Sequence, residues 1–278
     1  MNDIRISSGD WSIAATVSGR DPRIVLLHPG VGDRRCWYGV MAALAPSLAA
    51  VAYDMRGFGG TPPAIAPFVN VDDLRAVLDA TVTGPAVLIG NSQGGRVAID
   101  FALHHPERVD RLSLIASAVS GAPEVDWVAE LGQPLFDQLE AAEDAGDLDQ
   151  VNRIEARIWL DGPAGPEGRV GGAARELFLA MNRIPLTNES APQPLEPPSA
   201  FEQLEHLTMP VLVMVGTLDL PHQSVRSRRI AARVANGRLV ELEGVAHLPQ
   251  LEQPTQVADA IRAFVLDDGE ISTWMHRQ

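Results

Sequence analysis

The chain has 278 residues, and its 22 basic residues, set against 36 Asp and Glu, are all arginine. With no lysine there is no lysine Schiff base, no lysine-anchored pyridoxal phosphate, no Walker A lysine and no Ser-Lys dyad. A net charge of −14 repels phosphate backbones and anionic membrane surfaces, so neither nucleic acid nor a membrane is an expected partner.

The single cysteine, Cys36, excludes internal disulfides and multi-cysteine metal sites. The opening stretch to Arg20 has no apolar h-region, and Met41 to Tyr53 is too short for a span. A cytoplasmic protein is expected, a monomer or a homodimer. Hydrophobic residues at 46% suffice for a real core, and the length suits one large α/β domain or two ordinary ones.

In chain order, Trp11 to Val17 alternates as a half-buried strand does. Ile24 to His28, Ala50 to Tyr53, Pro85 to Gly90 and Arg111 to Ala116 are short apolar runs that read as buried strands. Between them lie helical spacings at Trp37 to Leu48, at Val71 to Asp79 with Asn70 or Asp72 as cap, and at Gly94 to His105, stopped by Pro106. Alternating strands and helices predict a parallel sheet.

From Gly121 to Leu207 no strand is predicted. Two acidic amphipathic stretches, Asp126 to Ala145 and Leu148 to Leu160, precede a Gly/Pro-rich link at Gly162 to Gly172. A helix at Ala173 to Asn182 and a proline-rich return follow. The strand pattern resumes at Pro210 to Leu218 and Arg238 to Leu242, with helices at Ser224 to Ala235 and Thr255 to Leu266. The tail from Asp267 has no clear assignment.

Three positions carry chemistry. Gly90-Asn91-Ser92-Gln93-Gly94 matches G-x-S-x-G, with an apolar strand before it and a helix after it. A sharp strand-to-helix turn projects the serine oxygen at the positive end of the helix. Serine is nearly inert at pH 7 and needs a base. Of seven histidines, His247 follows a strand, where parallel sheets place their sites. His104 and His105 read as surface, and His206 and His276 lie in the insertion's return and the tail. Asp219 ends the apolar strand Val211 to Leu218, roughly 28 residues before His247 in the order Ser, Asp, His, and would orient the base. It also reads as an N-cap. His222 is a rival base and Glu124 a rival acid.

These motifs resemble the α/β-hydrolase family. His28-Pro29-Gly30-Val31-Gly32 is similar to its oxyanion loop, Asp54 to Thr61 to its D-x-R-G-x-G turn, and Gly244 to Pro249 to its histidine loop. The resemblance spans the chain except the insertion and tail. It implies a mostly parallel central sheet flanked by helices, with a core at residues 1–120 and 208–278 and a helical cap at 121–207.

The family's donors map onto the amides of Gly30, with Val31 as fallback, and Gln93. Pro29 stands where glycine is common, and it leaves the Gly30 N–H in place. His28 is then structural, and so is the pairing suggested by Asp54 and Arg56. Arg96 reads as solvated or packed, and Cys36 as a buried thiol or an oxyanion-side residue. Val31, Trp127, Phe136 and Trp159 are candidate substrate-lining residues; most of the cap's large apolar side chains pack its own core. The Gly/Pro-rich link gives the lid freedom to move.

The implied activity is cofactor-independent and metal-free hydrolysis of a small-molecule carboxylic ester or lactone. A C–C or amide bond, a lyase or cyclase step, and a binding module with little turnover are the alternatives. Ser92 argues against relatives with an aspartate nucleophile. The acidic cap predicts neutral or cationic substrates over multiply anionic ones.

Overall fold

The computed structural model describes residues 1–188, 191–195 and 198–266. Eight strands form one sheet: β1 (Asn2–Ser8), β2 (Trp11–Ser18), β3 (Ile24–Leu27), β4 (Ala50–Tyr53), β5 (Ala86–Asn91), β6 (Val109–Ile115), β7 (Val211–Gly216) and β8 (Gly237–Leu242). Their spatial order is β1-β2-β4-β3-β5-β6-β7-β8. β2 runs antiparallel to both β1 and β4, and all pairs from β4 through β8 are parallel.

β3, β4, β5 and β7 are buried along their length and almost wholly apolar, because both faces of the sheet are covered. The period of two then divides each strand. Val25 and Leu27 join one core, Ile24 and Leu26 the other. Helices α1 (Tyr38–Leu44), α2 (Asn70–Thr81) and α3 (Gln93–His104) follow the first strands. Leu74 of α2 and Phe101 of α3 pack on the first core; Met41 of α1 packs on the second.

Helices α4 (Trp127–Leu131), α5 (Gln133–Asp144), α6 (Leu148–Glu155) and α7 (Gly172–Thr187) lie between β6 and β7. No strand occurs there among the described residues, as the sequence predicts. The acidic stretch expected as one helix from Asp126 breaks at Gly132, where φ is +77°. The next stretch begins as α6 and widens into a π-helical turn at Ala156–Asp161. Helices α8 (Pro221–Arg233), α9 (Pro249–Glu252) and α10 (Pro254–Leu266) complete the chain. Ile230 of α8 joins the first core, and Ile261 of α10 joins the second, where α10 packs on α1.

Three expectations need correction. β1 is absent from the sequence reading: only Ile6 of its seven residues is buried, so its apolar signal is weak. Neither Asn70 nor Asp72 caps α2, which begins at Asn70 itself without a side-chain cap. Helix α1 ends at Leu44, short of Leu48, because Pro46 cannot continue it. The tail from residue 267, His276 included, lies outside the described residues.

The fold positions a site by strand order. β3 has β4 on one side and β5 on the other, so the chain leaves the carboxyl ends of β3 and β5 in opposite directions. That divergence opens a crevice above the sheet, and the His28 loop and the Ser92 turn both stand at it. Among the described residues, no helix is long and apolar enough to cross a membrane.

Candidate active site

Ser92 sits between β5 and α3 with φ +52° and ψ −114°. Such a conformation costs a non-glycine residue about 1–3 kcal/mol and persists only where its surroundings impose it. Here they do. The Ser92 N–H donates to the Ile115 carbonyl at 2.9 Å, and its own carbonyl accepts from Arg96 and Ala118, both at 3.1 Å. The turn also needs Gly94, because a Cβ there would lie 2.3 Å from the Leu27 carbonyl oxygen.

His247 lies on the loop after β8 and is 1% exposed. Its Nδ1 is 2.8 Å from Asp219 Oδ2, and the second Asp219 oxygen accepts the Leu220 N–H at 2.8 Å. Both carboxylate oxygens are therefore used, and the second bond fixes the carboxylate's rotation. The loops meet because β7 ends in glycine. A Cβ on Gly216 would fall 2.2 Å from the Val245 carbonyl oxygen. Asp219 does not cap α8, whose cap position is Leu220.

Ser92 and His247 line one cavity of about 420 Å³ together with Gly30, Val31, Gln93, Arg96 and Trp159. Two backbone donors stand at it. Gln93 is the first residue of α3, so its N–H has no acceptor within the helix. Among the described residues neither that amide nor the Gly30 N–H has a hydrogen bond within the protein. A Cβ on Gly30 would lie 2.8 Å from Gln93 Oε1, which measures how closely the two loops approach.

Val31 and Trp159 lie on the cavity wall. The Trp159 ring rests on the His247 ring at 4.7 Å between centroids, and its carbonyl accepts the His247 N–H at 3.3 Å. Trp127 and Phe136 are not on the wall. Trp127 stands one ring further out, edge-on to Trp159 at 6.0 Å and to His222 at 5.6 Å. Helix α5 packs Leu135, Leu139 and Ala142 into the cap's own apolar cluster, and Phe136, one residue off that stripe, is not part of it.

Among the described residues, no acidic side chain of the insertion lines the cavity, and Arg96 is the basic one that does. The described wall therefore gives the expectation of cationic substrates no support. The rivals also fall away. The His222 Nδ1 is 3.1 Å from the Glu130 carboxylate, away from Ser92, and Glu124 is exposed. His28 is structural: Nδ1 bonds the Pro29 carbonyl at 2.8 Å and Nε2 accepts the Met55 N–H at 3.0 Å. Asp54 pairs with Arg34, whereas Arg56 pairs with Asp73 at 2.7 Å. Cys36 is buried, and burial pushes its thiol well above the usual range.

Several supporting residues escape the sequence reading. Buried Asn91 donates through Nδ2 to the carbonyls of Ile115 and His247 at 2.9 and 3.1 Å, and accepts from Gln250 at 2.9 Å. Glu252 accepts the Ala246 N–H at 2.8 Å and pairs with Arg169 at 2.6 Å. Arg169 also donates to the carbonyls of Leu160, Asp161 and Gly244. The Asp161 carboxylate accepts from Gly168 and Val170. The Gly/Pro-rich link is thus tied to the histidine loop rather than loose. The pattern G-N-S-x-G and the glutamate five residues after His247 are the only signals of these roles in the chain.

The chain matches the model of the alpha/beta hydrolase family over residues 24–260. It is 28% identical over 258 residues to a pimeloyl-[acyl-carrier protein] methyl ester esterase of Aeromonas hydrophila subsp. hydrophila, covering 91% of this chain and 99% of that one. It is 44% identical over 263 residues to a 2-hydroxymuconate semialdehyde hydrolase of Pseudomonas sp. (strain CF600), covering 90% and 89%. An esterase structure from Rhodococcus sp. ECU1013 superposes with a TM-score of 0.77 at 27% identity, covering 95% of this chain and 98% of that one. With the sheet order, the serine turn and the histidine loop alongside these matches, the chain belongs to the alpha/beta hydrolase family.

Proposed function

We propose that the protein is a serine hydrolase of small to medium, neutral carboxylic esters or lactones. The observation that carries this is one cavity holding Ser92 and His247, with Asp219 bonded to the histidine and two amides at the same wall.

In this reading Ser92 Oγ attacks the substrate carbonyl carbon, and its proton passes to His247 Nε2. Asp219 keeps the other ring nitrogen protonated and stabilises the imidazolium. The carbonyl oxygen becomes an oxyanion facing the Gly30 and Gln93 N–H groups; loss of one such donor costs about 3–4 kcal/mol of barrier. Collapse breaks the ester C–O bond, and the leaving alkoxide takes the proton from His247. Water then gives a proton to His247 and attacks the acyl-enzyme, releasing the acid and restoring Ser92. The helices at residues 121–207 act as a cap over this cavity, with Trp159 as its contact to the histidine.

Hydrolysis of a carbon–carbon bond is the second reading. It is favoured by the 44% identity to a relative named for 2-hydroxymuconate semialdehyde, a name without an ester. Purified protein offered p-nitrophenyl butyrate and a vinylogous 1,5-diketone acid separates the two. Ester turnover that falls on the order of 10⁵-fold in Ser92→Ala supports the first reading. Equal rates in the two proteins refute it.

A further inference from the structure

A second, smaller cavity of about 90 Å³ lies behind the first. Gln93, Gln193 and Pro194 line both, so these three residues form the partition between them. The far walls are apolar: Met55, Phe58, Ala64 and Phe68 from the core, Pro185 and Pro192 from the segment that returns from α7. Two of its described residues are bonded to the core. Asn188 Nδ2 donates to the Gly57 carbonyl at 3.0 Å, and the Leu195 N–H donates to the Phe68 carbonyl at 2.8 Å.

Among the described residues, the charged side chain on these walls, Arg56, is already engaged. Arg56 is bidentate on Asp73 at 2.7 and 2.8 Å, and its guanidinium covers the Trp11 and Phe68 rings. Asn188 is spent on Gly57. The neutral amides of Asn70, Gln93 and Gln193 complete the lining, so the small cavity offers a ligand mainly apolar surface and no unpaired charge.

The geometry of ester hydrolysis decides which arm enters. His247 must reach the leaving oxygen, so the alcohol arm lies on the side of His247 and Trp159, in the larger cavity. The oxyanion points at Gly30 and Gln93. The remaining substituent on the carbonyl carbon is the acyl chain, and it is directed away from His247, toward Gln93. His247 does not line the small cavity, and Gln93 does.

We propose that this small cavity is the acyl-chain subsite and that it selects short, unbranched, uncharged acyl groups. This rests on the serine-hydrolase reading above. At roughly 30 Å³ for each small group in a liquid, about three heavy atoms fit within it, which limits the acyl group to a short chain. The Gln93 side chain and Pro194 form the threshold that the chain crosses.

The test is kcat/KM for p-nitrophenyl acetate, butyrate, hexanoate and octanoate in three proteins. The natural chain should favour butyrate. Ala64→Leu fills the subsite and should lower the butyrate-to-acetate ratio about tenfold or more, the scale of one misfitted methylene group. Phe68→Ala enlarges it and should move the optimum to hexanoate or longer. Opposite shifts in the two variants cannot arise from misfolding. A second series holds the butyryl group and varies the alcohol, and its profile should move by less than about twofold in either variant.

An unchanged acyl profile in both variants, or a shift confined to the alcohol series, overturns the subsite. It leaves the hydrolase reading standing. No ester turnover by the natural protein, with Ser92 unlabelled by a fluorophosphonate, overturns that reading and the subsite with it.

Discussion

Replacing Asp219 by asparagine tests the base most sharply, because the structure dictates which way the amide must face. One Asp219 oxygen accepts the Leu220 N–H at 2.8 Å, and the other faces His247 Nδ1 at 2.8 Å. Asparagine has one acceptor and one donor end. Its oxygen must take the Leu220 N–H, since the reverse orientation sets two donors against each other in a buried site. The NH₂ end then faces His247 and donates to Nδ1. That forces the proton of neutral imidazole onto Nε2, the nitrogen that has to accept from Ser92. The side chain keeps its volume and its burial, so the fold should hold.

The expected loss in kcat is about 10⁴-fold, or about 5.5 kcal/mol of barrier, the scale seen when a triad histidine is held in the wrong tautomer. Stopped-flow or steady-state release of p-nitrophenol from the butyrate ester at pH 7.5 measures it. A thermal melt within a few degrees of the natural protein shows that the fold is kept. An asparagine variant that retains a tenth or more of the natural kcat would refute the assignment of His247 as a base oriented by Asp219.

Three further outcomes follow from the same geometry. Gly94→Ala places a Cβ 2.3 Å from the Leu27 carbonyl oxygen, so α3 must shift off the sheet; urea unfolding should show a loss of about 2–4 kcal/mol. Trp159→Ala removes the ring resting on His247 and should lower kcat/KM by about 10- to 100-fold, whereas Phe136→Ala, off the cavity wall, should stay within about twofold. Burial holds the His28 imidazole below its ordinary 6.5, against the pull of Asp54, so below that pH the unfolded chain takes up a proton that the folded chain refuses. Stability therefore falls as pH drops from 7 toward 5, by at most about 1.4 kcal/mol per pH unit from this group, and His28→Gln should flatten that slope in denaturant titrations at each pH.

The sequence exposes what is carried by local pattern. β4 matches its predicted bounds at Ala50–Tyr53, because a fully buried parallel strand is an unbroken apolar run between polar turns. Ser92 is legible because a strained serine needs glycines at fixed offsets on either side of it. His247 and Asp219 are legible because both follow strands, at the end of the sheet where loops converge.

What is not legible depends on contacts across the chain. Asn91 reads as a variable position of the serine motif, yet 156 residues separate it from the carbonyl it holds on His247. Arg169 reads as part of a flexible link, and its four acceptors come from the π-helical turn, the histidine loop and α9. Trp127 and Phe136 have the composition of lining residues, but helix phase puts them beside the cavity instead of on it. The acidic charge of the insertion is a property of its sequence, and which residues face the cavity is a property of its packing.

The central claim is that Ser92 becomes covalently acylated. Intact-protein mass spectrometry after incubation with a fluorophosphonate, followed by peptide mapping, measures it directly. The expected product carries one added phosphonyl group, on the peptide that contains Ser92, formed at a rate that collapses in His247→Ala and with no adduct in Ser92→Ala. No adduct on the natural protein, or an adduct on another residue that survives Ser92→Ala, would contradict it.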